Sequence, residues 1–64
     1  MNSGDRITLM CPRGPYSDGK SFPVGTQGTL QTRLNLFGDS FWSVIFDGDH
    51  TPRIVIESCL IPVP

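Results

Sequence analysis

The chain has 64 residues, with five Lys or Arg against six Asp or Glu and a formal charge of −1. That is the size of one small domain, and it lacks the clustered positive charge that binds DNA. Two cysteines are too few for a disulfide scaffold, one histidine gives no metal-ligand spacing, and no apolar run approaches a membrane span.

Met1-Asn2-Ser3-Gly4-Asp5 carries neither a basic n-region nor an apolar h-region, so a reduced, cytoplasmic setting is expected. Residues 1–64 are expected to form one domain, with 1–3 as a flexible lead. Arg6-Ile7-Thr8-Leu9-Met10-Cys11 alternates with the period of a half-buried strand and puts Ile7, Leu9 and Cys11 on one face until Pro12 stops it. From Pro12 to Gly25, three prolines and three glycines break any regular pattern. Tyr16 and Phe22 lie in this stretch and call for burial, which predicts an ordered long loop. Thr26 to Leu34 reads as a second strand, with Gly28 marking a bulge or a close backbone approach.

A loop from Asn35 to Ser40 then leads to Phe41-Trp42-Ser43-Val44-Ile45-Phe46, the stretch that constrains the fold most. Successive strand side chains alternate between faces, so Trp42, Val44 and Phe46 share one face while Phe41, Ser43 and Ile45 share the other. Asp47-Gly48-Asp49-His50 is turn chemistry, and Arg53 to Ile56 is a fourth strand with Pro52 at its start. Glu57 to Leu60 predicts a single 3₁₀ turn, and Ile61-Pro62-Val63 a short closing strand at an edge. No helical periodicity survives. The fold class expected is all-β: a small five-stranded barrel with a long first loop and a one-turn 3₁₀ element before the last strand. Its core is expected from Ile7, Leu9, Leu30, Trp42, Val44, Phe46, Val55 and Leu60.

Four pieces in order, Gly4-Asp5-Arg6-Ile7, Val24-Gly25-Thr26-Gln27-Gly28-Thr29-Leu30, Trp42-Ser43-Val44-Ile45-Phe46-Asp47-Gly48 and Ile56-Glu57-Ser58-Cys59-Leu60, resemble small bacterial SH3-like barrels. These include KOW-type modules and barrels like that of the nitrile hydratase beta subunit. The resemblance spans about residues 4 to 63 and implies the fold. The two-sided apolar strand Phe41 to Phe46, in a chain without a set of catalytic residues, leads to the expectation of a non-enzymatic binding or assembly module. The alternative is a KOW-type RNA- or ribosome-associated role, suggested by the Gly28-centred strand and the Tyr16/Phe22 loop. Peptide-binding eukaryotic SH3 domains carry acidic residues and paired tyrosines in the long loop, where this chain has Tyr16, Asp18 and Phe22. RNA-binding KOW modules display several Lys and Arg, which here are scattered singly. The plasmid-borne type II dihydrofolate reductases carry Val-Gln-Ile-Tyr where Ile54-Val55-Ile56-Glu57 stands, so an enzymatic role is not expected.

The surplus apolar pair Phe41 and Ile45, with Phe37 close by, either packs beneath the long loop or forms a subunit interface. Tyr16 and Phe22, mixed with Arg13 and Lys20, either anchor the loop or stack on a ligand. The candidate binding residues are therefore Tyr16, Phe22, Phe37, Phe41 and Ile45. Trp42 is expected in the core, His50 in a solvated turn, and Cys11 and Cys59 as buried reduced thiols, with a redox pair as the alternative reading. Asp47-Gly48-Asp49 lacks the spaced carboxylates and closing Glu of a calcium loop. No cofactor is expected, and the expected partner is a second copy or another protein, not a nucleic acid or a membrane.

Overall fold

Period-2 alternation of buried and exposed side chains is clear in β-strand segments such as Arg6–Leu9 and the first half of Gln27–Leu36 of the computed structural model, which describes residues 1–64. The elements are β1 (Arg6–Leu9), β2 (Gln27–Leu36), β3 (Asp39–Phe46), β4 (Arg53–Ile56), a 3₁₀ turn (Glu57–Cys59) and β5 (Leu60–Pro62). There is no α-helix, and so no helix long and apolar enough to cross a membrane. The strands form one antiparallel sheet in the order β4-β3-β2-β1-β5.

The ladder does not close between β4 and β5, so the sheet keeps two edges where the sequence led us to expect a closed barrel. Both edges are poor templates for pairing with another chain. β4 and β5 are four and three residues long, Pro62 has no N–H to donate, and the Ile54 carbonyl on the β4 edge accepts from the Tyr16 hydroxyl at 3.4 Å.

All eight residues expected in the core are buried there, joined by Cys59. Trp42 keeps a partner for its indole N–H, which donates to Glu57 Oε1 at 3.3 Å. Gly28 lies opposite Ile7 on β1 and Phe46 on β3, where a Cβ would come within 2.7 Å of the Ile45 carbonyl oxygen. Its role is close backbone approach; the β-bulge sits further on, at the register shift between Leu30 and Thr32.

β2 and β3 also run further than the sequence indicated. The expected loop from Asn35 to Ser40 is instead a continuation of the ladder, closed by the two-residue turn Phe37-Gly38. Both turn residues have positive φ, +53° and +82°, the signs of a type I′ hairpin turn. Phenylalanine is a rare choice at such a position, and the turn is therefore hard to see in the sequence. β1 ends at Leu9, two residues short of Cys11, as the chain turns away into the long loop.

Truncating Phe46, which has no exposed surface, should cost about 3–5 kcal/mol, comparable to the whole stability of so small a domain. Phe46→Ala is expected to lose the far-UV β signature at 25 °C. Gly28→Ala should lower the midpoint of a thermal melt through the backbone clash, by an overpacking cost of about 1–3 kcal/mol.

Candidate functional site

The long loop is held by one cation. Arg53, opposite Val44 on the core side of β4, has a side chain only 5% exposed. Its Nε donates to Asp49 Oδ2 at 2.8 Å, while Nη1 and Nη2 reach the two carboxylate oxygens of Asp18 at 3.0 and 2.7 Å. Its guanidinium carbon lies 5.1 Å from the Tyr16 ring centre and 5.4 Å from that of Phe22. Lys20 Nζ adds a further contact to Asp49 at 3.3 Å. Two carboxylates, one from the loop and one from the β3–β4 turn, thus neutralise a buried guanidinium between two loop rings.

Phe22 continues the stack onto Phe46, with ring centres 4.5 Å apart, and meets Tyr16 edge-on at 6.0 Å. Main-chain hydrogen bonds in both directions between Arg13 and Phe22 tie the two ends of the loop together. Both rings therefore pack at the core end, on the face of β3 opposite Phe41 and Ile45. Tyr16 and Phe22 are anchoring residues here, each half-buried against the chain's own side chains. Asp49 and Arg53 complete this cluster, although the sequence suggested a solvated turn and a solitary cation.

The other face of the sheet carries the surplus. Residues directly opposite across a ladder share a face, and Leu34, Phe41 and Ile56 form one row across β2, β3 and β4. The next rows hold Thr32, Ser43 and Ile54, and then Thr29 with Ile45. Phe41, Ile45, Leu34 and Ile56 are half-buried, and Ile54 is 44% exposed. Ile56 also reaches the core from the sheet edge. The sequence reading singled out Phe41 and Ile45 but missed Leu34, Ile54 and Ile56. The unbroken apolar run Ile54, Val55 and Ile56 was the available signal, since β4, like β3, is apolar on both faces.

Phe37, at the tip of the β2–β3 hairpin, is 99% exposed. Beside it opens a cleft of about 320 Å³ lined by Gly38, Asp39, Ser40, Ile56, Glu57 and Ser58. Leu36, next to the tip, is also exposed. The five residues picked out in sequence thus fall in three places: the loop cluster, the outer sheet face and the hairpin tip.

Of the five basic side chains, four face carboxylates: Arg6 on Asp47, Lys20 on Asp49, Arg33 on Glu57, and Arg53 on Asp18 and Asp49. His50 is exposed in its turn, and no group of three or more His, Cys, Asp or Glu is placed to hold a metal ion. Compared with protein-family models, with curated proteins and with solved structures, the chain matches none.

Hydrogen bonds from Arg53 hold the Asp49 and Asp18 carboxyls below the usual carboxylate range, and Arg6 does the same for Asp47. Groups whose folded-state value is depressed contribute stability that is complete above their unfolded value, about pH 4, and lost as pH falls through the folded value. The thermal midpoint should therefore be level above about pH 5 and fall progressively below about pH 4. Asp49→Asn should lower the midpoint at pH 7 and flatten the acid slope, as read by circular dichroism across a pH series.

Proposed function

We propose that this chain is a small non-enzymatic binding module with the SH3-like architecture, assembling with copies of itself through the outer face of β2, β3 and β4. The observation that carries this reading is the apolar row Leu34, Phe41 and Ile56, flanked by Ile45 and Ile54, on the face that the long loop leaves aside. A domain of this size gains stability by covering such a face. An isologous contact would place the same rows of two copies against each other.

The hairpin tip supports the same reading. A non-glycine residue with positive φ costs roughly 1–2 kcal/mol, and Phe37 recovers none of it within its own chain, being fully exposed. A ring held there at a cost fits a residue that acts on a partner. The nucleic-acid alternative has less support, because four of the five cations are occupied by carboxylates.

Light scattering or sedimentation at tens of micromolar should give a mass above the 7.0 kDa of one chain. Each apolar side chain buried is worth about 1.5–3 kcal/mol, so Phe41→Ser with Ile45→Ser should weaken association by at least about 100-fold while preserving β structure. Phe37→Asn should separate the two roles of the tip, raising the thermal midpoint of the monomer by relieving the turn while weakening association. A wild-type mass of 7.0 kDa across this range would overturn the proposal.

A further inference from the structure

Arg13 is the one basic side chain that meets no carboxylate. Its Nη2 donates instead to the sulfur of Cys59 at 3.1 Å, and its Nε is buried without any acceptor. A guanidinium offers five N–H donors and a full charge, and a neutral thiol is among the weakest acceptors a protein has. The partner suited to such a group is a sulfur anion.

The second cysteine lies alongside. Leu9 pairs with Leu60 across β1 and β5, and the Met10 N–H donates to the Cys59 carbonyl at 2.7 Å, so the residues that flank these pairs adjoin. Cys59 is buried in the core and Cys11 packs against the same cluster while staying half-exposed. The neighbouring Cys59 thiol, with burial second, raises the Cys11 thiol above its ordinary value, and the placement of the pair rests on the β1–β5 ladder and the shared core packing.

We infer that Cys11 and Cys59 form a reversible dithiol site that low-molecular-weight disulfides oxidise to an intramolecular disulfide, with the Arg13 guanidinium placed to stabilise negative charge that develops on the Cys59 sulfur during the exchange. Cys11, the accessible sulfur, loses its proton to solvent and attacks one sulfur of the small disulfide, whose S–S bond breaks to release one thiolate. Cys59 then gives up its proton to the departing small thiolate or to solvent as Arg13 donates to its sulfur, attacks the Cys11 sulfur of the mixed disulfide and expels the second thiolate. Two protein thiols are oxidised, one small disulfide is reduced to two thiols, and an excess of the small thiol reverses the sequence. The new bond would join the segment just after β1 to the 3₁₀ turn. Arg13, at the start of the long loop and paired through its main chain with Phe22, links this site to the loop.

The test treats the reduced full-length protein with oxidised glutathione and follows it by alkylation and mass spectrometry. The expected product is a single chain lighter by two hydrogen atoms, carrying no glutathione and returned to the dithiol by dithiothreitol. Its thermal midpoint should rise by about 10 °C. Cys59→Ser should retain glutathione on Cys11, and Arg13→Gln should slow ring closure about tenfold, with Arg13→Lys restoring most of the rate. Near-UV circular dichroism reports whether each variant keeps its packing. If the wild type gives only glutathione adducts or inter-chain disulfides, the inference is wrong whether or not the variants fold. Closure at the wild-type rate in folded Arg13→Gln would remove the role given to Arg13.

Discussion

A buried guanidinium between two carboxylates and two rings is the constraint on which the arrangement of this molecule depends. Arg53 belongs to β4, Asp49 to the turn after β3, and Asp18, Tyr16 and Phe22 to the long loop, so one side chain joins three parts of the chain. Leaving that charge unpaired would be costly, and the loop can neutralise it only by lying across the core end of the sheet. Once there, Phe22 stacks on Phe46 and Tyr16 reaches the Ile54 carbonyl. The loop therefore lids the core end and guards the β4 edge together.

That placement determines what remains for function. With its rings at the core end, the loop's aromatics lie away from the outer face of β2, β3 and β4, where apolar side chains line up in cross-strand rows. The same economy of charge that neutralises Arg53 also occupies Arg6, Lys20 and Arg33. The surface therefore combines mostly paired charges with one apolar sheet face. Arg13 is the exception, since its guanidinium meets the Cys59 sulfur in place of a carboxylate.

The hairpin tip shows how local and global demands can disagree. Local turn preference would place Asn or Gly where Phe37 stands, and core packing has no use for a ring that is fully exposed. Phe37 thus satisfies neither the local turn preference nor the demand for burial.

Local sequence pattern, strand alternation together with apolar runs and turn residues, determined the all-β class, the position of β4, the 3₁₀ turn and eight of the nine core residues. Those features depend on which neighbours a residue has along the chain, and a period of two is visible without coordinates. The ring pair Tyr16 and Phe22 was recognisable, as were the surplus Phe41 and Ile45, because aromatic and branched side chains stand out in a short polar context. What they pack against was decided only in three dimensions. Asp49 and Asp18 are far apart in the chain and unremarkable as turn residues until Arg53 lies between them. Leu34, Phe41 and Ile56 become one row only when three strands adopt a common register. Arg13 and Cys59, from opposite ends of the sequence, meet only because β1 and β5 are neighbours. Linear spacing records local conformation, whereas ion pairs, cross-strand rows and thiol contacts are set by strand order and register, which the tertiary fold alone supplies.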